Sequence, residues 1–164
     1  MGMQLPGELI SVLSMLGYTW PKADEEKLYE LSQSWMTFSG VLRTHVSDAD
    51  AAAAVAWQGN FADTITAFQT KWQADTSPSA RLANSATGAQ IVGAALMVAA
   101  GIVLALKISV ITQLIILAVQ IAQAIATAVV TFGASLLEIP IFKMITGAIV
   151  DKLIDLALNA VLNG

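Results

Sequence analysis

The chain has 164 residues, with 12 acidic and 8 basic side chains, a formal charge of −4, one histidine and no cysteine. Disulfide frameworks, thiolate metal sites and thiol nucleophiles are thereby excluded; a lone histidine argues against a histidine-dependent mechanism, and the lack of any basic block argues against nucleic acid as a partner. Hydrophobic residues make up 56% and charged residues 12%, about half the usual charged share, so a surplus of apolar surface has to enter a core, a partner or a lipid bilayer.

Residues 1–15 do not read as a signal peptide, because no positive leader precedes the apolar stretch and Glu8 interrupts it. Any export is therefore expected to use folded or internal signals. Leu5 to Gly17 predicts a short helix with Pro6 in its first turn, Glu8 against the helix dipole and Gly17 as its stop. Leu9, Val12, Leu13 and Leu16 share its apolar face. Tyr18-Thr19-Trp20-Pro21 then turns the chain, since the residue before a proline disfavours helix. A long helix is expected from Asp24 to Ala56, ~50 Å at about 1.5 Å per residue, with Asp24, Glu25 and Glu26 suited to its N-terminus. Leu28, Leu31, Trp35, Phe38, Leu42, His45, Ala49, Ala52 and Ala56 recur at spacings of three and four, a heptad seam running from bulky to small. Lys27, Glu30, Gln33, Arg43, Asp48 and Asp50 form the wetter face.

Trp57-Gln58-Gly59-Asn60 is a sharp break, because glycine and asparagine tolerate left-handed backbone. Phe61, Ile65, Phe68 and Trp72 resume the spacing beyond it. Two seamed helices joined by so short a turn predict an antiparallel hairpin. Trp57, at the bend, either closes the hairpin end or docks elsewhere. Trp35, Phe38, Phe61, Phe68 and Trp72 are expected as hairpin core, each worth roughly 1.5–3 kcal/mol on burial, and His45 is expected to pack within the seam. Asp48 and Asp50 look like the start of a calcium loop, but alanines follow and no Gly-x-Glu completes it, so no metal site is expected.

The hairpin with Trp57-Gln58-Gly59 at its bend resembles the Trp-x-Gly superfamily of type VII (ESX) secretion substrates. The opening Leu5-Pro6-Gly7-Glu8-Leu9, then Leu16-Gly17-Tyr18-Thr19-Trp20-Pro21 and Asp24-Glu25, is similar to one subgroup, the outer membrane channel protein-like N-terminal domain of actinobacterial polymorphic toxins. The resemblance covers roughly the first 75 residues well and the remainder in general character only. It implies a partner, either a small helical-hairpin protein of the same type or a second copy, and engagement of type VII secretion machinery. It marks Trp57, Gly59, Trp20 and Pro21 for recognition, and Trp35 and Trp72 join them as candidate contacts beside their expected place in the hairpin core. One departure stands out. The family's export tag, Tyr-x-x-x-Asp/Glu, is absent: Tyr18 is followed four on by Lys22, Tyr29 by Gln33, and Trp72 by the wrongly spaced Asp75.

The second half differs in kind. Asp75-Thr76-Ser77-Pro78-Ser79 breaks the chain, and Thr76 or Ser77 is placed to cap a helix that starts at Pro78. From Leu82 to Leu137 the only charged residue is Lys107, and Ile91 to Leu106 has no polar side chain. Gln113, Gln120 and Thr127 repeat every seven residues in a thin polar stripe. A helix apolar all round except for such a stripe is either fully buried or in lipid. Gly93 and Gly101 would admit close helix approach, as membrane interfaces favour, and Lys107 at a helix end could snorkel to the bilayer surface. Both readings stay open. Glu138-Ile139-Pro140 is expected to end the run, and Ile141 to Leu162 to form an amphipathic helix closed by Asn163-Gly164.

These readings predict an all-α chain: residues 1–76 as short helix plus Trp-x-Gly hairpin, and 77–164 as long hydrophobic helices plus a C-terminal amphipathic helix, with a toxin domain expected to follow. No nucleophile–base set, phosphate loop or metal-ligand spacing occurs, so neither an enzyme nor a cofactor is expected. The expected role is a secreted or cell-surface delivery module. The alternative is a membrane-inserting or pore-forming segment over 88–133, with Gly93, Gly101, Lys107, Gln113 and Gln120 as its candidate residues.

Overall fold

The computed structural model describes residues 2–163, which are mostly helical with no strand among them. The elements are α1 (Gly7–Met15), α2 (Glu25–Trp57), α3 (Asp63–Trp72), α4 (Pro78–Thr127) and α5 (Ile139–Asn163), with a single 3-10 segment, Ala134–Glu138, ahead of α5. Local chemistry sets most of these limits. Asp24 caps α2 by accepting the Lys27 N–H at 3.1 Å, and that bond holds its carboxyl below the usual carboxylate range. Ser77 caps α4 by accepting the Ala80 N–H at 3.1 Å, with Pro78 at the first helical position. Gly17 and Gly59 take positive φ, +83° and +77°, where the chain leaves α1 and α2.

Three expectations change. Pro6 precedes α1 in extended backbone (φ −54°, ψ 138°), one step outside the first turn. The long hydrophobic helices expected after residue 77 are one helix, α4, unbroken for 50 residues. The run then ends at Thr127, well before Glu138, and Pro140 sits in the first turn of α5, where its missing N–H has no helical partner to lose. Of the expected cap at Asn163-Gly164, Gly164 lies outside the described residues.

The helices form two compact units, one drawing on residues up to Lys27 and from Ala99 onward, the other comprising Leu28–Val98. The division falls inside α2 and α4, whereas the break at 75–79 is a tight turn within the second unit. In the first unit, Leu9, Val12 and Leu13 of α1 pack with Val110, Leu114 and Leu117 of α4 and Val150 of α5. Lys107, Val110, Leu114, Leu117, Ile121 and Ala124 recur on α4 at spacings of three and four and are its buried or half-buried seam. Gln113 and Gln120 flank that seam, half-buried, instead of forming it.

In the second unit α2 packs on α4 through small residues. Ser39 Oγ donates to the Ala86 carbonyl at 2.7 Å, and both residues are buried. A Cβ on Gly93 would lie 2.9 Å from Met36 Cγ and 3.1 Å from the Ser32 carbonyl oxygen. Ser32, Ser39, Ala86, Ala89 and Gly93 are therefore the contact, and their size sets a short interhelix distance.

Candidate recognition surfaces

That small-residue contact splits the expected seam, leaving Leu28, Trp35, Leu42, Ala49 and Ala56 half-buried and the residues between them exposed. Leu31 is 48% and Phe38 47% exposed, Trp35 is half-buried, and His45 and Ala52 are exposed. The heptad pattern correctly marks one face of α2, but α4 takes the neighbouring face because serine, alanine and glycine let the backbones approach more closely than leucine and tryptophan do. Leu31, Ser34, Trp35 and Phe38 line a shallow apolar groove of 190 Å³, in which the Trp35 and Phe38 rings meet edge-to-face at 6.1 Å. Phe61, expected in the hairpin core, is 91% exposed.

The bend is built from aromatics and one carboxylate. Trp57 and Trp72 both pack on Phe68, with ring centroids 5.7 and 5.8 Å apart. Asp50 on α2 accepts hydrogen bonds from Trp72 Nε1 at 2.8 Å and from Ser79 Oγ at 2.5 Å. Thus α3, which has no buried residue of its own, is held by an aromatic stack and by Asp50. An open cleft of 380 Å³ lies here, lined by Trp57, Trp72, Asp50, Val46, Ser77 and Ala83 among others. Asp50 is a residue the periodicity misses. The available signal was an acid set in an alanine run, which calls for a partner without saying which. Among the described residues no three His, Asp or Glu side chains group as metal ligands would.

In the first unit, Trp20 Nε1 donates to the Met3 carbonyl at 3.2 Å, and its ring centroid lies 5.8 Å from Lys107 Nζ. Lys107 Nζ donates to Glu25 Oε2 at 2.7 Å, and both residues are buried, 2% and 7% exposed. Glu25 Oε1 also accepts the Met3 N–H. Burial by itself pushes the Glu25 carboxyl up; the Lys107 ammonium and the Met3 amide outweigh it, so the net shift is downward. Lys107 is thus an interior ion in mid-helix, not a snorkelling residue at a helix end. Pro21 is half-buried beside it, lining a 250 Å³ cleft with Trp20 and Lys107. Gly93 is a close-approach residue as expected, though against α2 of this chain. Gly101 is exposed and has nothing within 4 Å of a Cβ position, so within the chain it mediates no close approach.

A family model described as the WXG100-like domain matches residues 4–148, well over half of the chain. This chain belongs to the WXG100-like domain family. The match extends the resemblance seen in the first 75 residues through α4 and into α5. No curated protein and no solved structure matches. As a WXG100-like domain the chain is a helical protein associated with type VII secretion, a setting of helical-hairpin partners or homodimers. The Trp57-Gln58-Gly59 triplet sits at the bend between α2 and α3, with Trp57 half-buried against Phe68 and Gly59 in the left-handed conformation.

Proposed function

We propose that this WXG100-like domain is the non-enzymatic targeting and delivery domain of a secreted polymorphic toxin, recognised for type VII export in complex with a small helical-hairpin protein. The observation that supports this reading is the outward apolar strip of α2. Leu31, Trp35 and Phe38 repeat at heptad spacing, yet α4 occupies the adjacent face and leaves Leu31 and Phe38 exposed with Trp35 half-buried between them. A helix laid along them would meet a strip spaced for knobs-into-holes packing. The missing Tyr-x-x-x-Asp/Glu tag has a place in this reading, because a bound hairpin partner can carry it. Recognition at the bend falls to Trp57, whose ring borders the cleft with Trp72 and Asp50.

The test is co-expression with a small WXG100-family hairpin protein encoded beside it, read by light scattering. A one-to-one complex is expected, and the double variant Leu31→Ser, Phe38→Ser should weaken it by roughly a hundredfold, about tenfold per side chain, with helix content unchanged. A complex indifferent to both substitutions, or a chain that stays monomeric beside the hairpin protein, overturns the reading. Self-association abolished by the same variant assigns the strip to a second copy.

A further inference from the structure

Between Lys107 and Glu138 the chain carries no charge. The C-terminal end of that stretch is the turn that joins α4 to α5, within the first unit. Its side chains are large, apolar and outside the core: Val129 is 85%, Val130 80%, Phe132 99% and Leu137 76% exposed. Phe132 has φ +49°, a left-handed conformation that a bulky residue adopts only under constraint, and it is the only non-glycine residue with positive φ among those described. The fold gains no contact from the ring. Glycine would fit the same backbone with less strain.

Most of the N–H groups of the turn, and its hydroxyls, are bonded within it. The N–H groups of Ala128, Val130, Thr131, Gly133, Ala134 and Leu136 all donate to backbone carbonyls of the turn and the end of α4. Ser135 Oγ donates to the Ala124 carbonyl at 2.7 Å, while the Ser135 N–H reaches Thr131 Oγ1 at 3.3 Å. Thr131 and Thr127 hydroxyls donate to the Thr127 and Gln123 carbonyls at 3.0 and 2.9 Å. A protein partner recognises a surface by apolar anchors together with a rim of hydrogen-bonding groups; this tip has the anchors, and its hydroxyls are already paired. Pairing most of its donors within the turn lowers the cost of entering an apolar layer, and the N–H groups of Val129 and Phe132, which have no such bond, suit the hydrated interface better than the hydrocarbon centre. Glu138, exposed at the end of the apolar run, limits how deep the tip can go.

We infer that the Val129–Leu137 tip is a shallow membrane anchor that inserts Val129, Val130, Phe132 and Leu137 into the interfacial layer of a lipid bilayer. The anchor is uncharged, and the chain is net acidic, so it takes neutral lipid and owes nothing to electrostatic attraction. This inference stands independently of the partner strip on α2.

Flotation of the full 164-residue chain with extruded phosphatidylcholine vesicles tests it. The wild type is expected in the lipid fraction, equally at low and high salt. Phe132→Gly relieves the strained φ and should preserve or raise the melting temperature while lowering vesicle partitioning roughly tenfold or more. Val130→Asp provides a second variant at an exposed position, with the same expected loss. A wild type that remains in the aqueous fraction overturns the inference. So does partitioning unchanged in both variants, binding that needs anionic lipid, or a lipid-free dimer that Phe132→Gly converts to monomer, which would assign the tip to a second copy.

Discussion

Replacing Lys107 with methionine keeps the length and apolar stem of the side chain and removes only the charge. Glu25, 7% exposed, is then left in the interior with the Met3 N–H as its remaining partner outside its own helix. Breaking a buried pair from one side costs about 3–5 kcal/mol, because the surviving ion has lost its counter-charge without regaining water. At roughly 2–4 °C per kcal/mol for a chain of this size, the first unit should melt about 6–20 °C earlier. Glu25→Gln strands Lys107 and should cost a comparable amount. The double variant should cost much less than the sum, since a neutral pair has no stranded ion. The pH profile sharpens the test. The wild-type Glu25 pKa is lowered on folding, so its contribution is present above the ordinary carboxylate range and is lost as pH falls through the depressed folded value. In Lys107→Met, burial acts unopposed by the ammonium, and protonation of Glu25 relieves it. The gap between the two proteins should therefore narrow as pH drops from 7 towards ~4. Urea denaturation of all four proteins at both pH values is the assay. A single-variant cost below about 1 kcal/mol, or strictly additive substitutions, would refute the assignment of this pair as a buried, coupled lock.

Two glycines should respond in opposite senses. Gly93→Val pushes side-chain atoms into Met36 and the Ser32 carbonyl and should destabilise the second unit by about 1–3 kcal/mol, whereas Gly101→Ala meets open space and should stabilise α4 by up to about 1 kcal/mol through helix propensity; urea midpoints decide both signs. Asp50→Ala removes the acceptor for Trp72 and Ser79, at about 1 kcal/mol. Because α3 has no buried residue, the effect should concentrate there as faster amide exchange, and uniform exchange across α2, α3 and α4 would contradict the anchoring role given to Asp50.

Much of the architecture was legible before any coordinates. Helix limits at Gly17, Gly59, Asp24, Ser77 and Pro78 follow from short-range rules, because a cap or a left-handed turn depends on residues within four positions of one another. The apolar face of α1 and the Trp-x-Gly bend were readable for the same reason, and the bend, with its flanking sequence, pointed to the secretion family that the match over residues 4–148 shows. The C-terminal limit of α4 was misread, since nothing as emphatic as a proline marks Thr127 and the turn there relies on Ser135 reaching back to Ala124.

Which face of each helix is buried was decided only by the tertiary structure. Periodicity weights residues by size and therefore put Leu31, Trp35, Phe38 and Phe61 inside. Helix packing rewards close approach instead, and in α2 the closest approach is available through Ser32 and Ser39 against Ala86 and Gly93. The pairing of Lys107 with Glu25 was equally out of reach: a lone cation in a long apolar run demands an anion, but the chain offers several, and only folding brings the one 82 residues away to 2.7 Å. Local chemistry is written in neighbouring residues, whereas a long-range contact depends on which of several compatible faces pack best together. That is why the helices and the family could be read from this sequence, while the outward strip, the buried lock and the apolar tip required the fold.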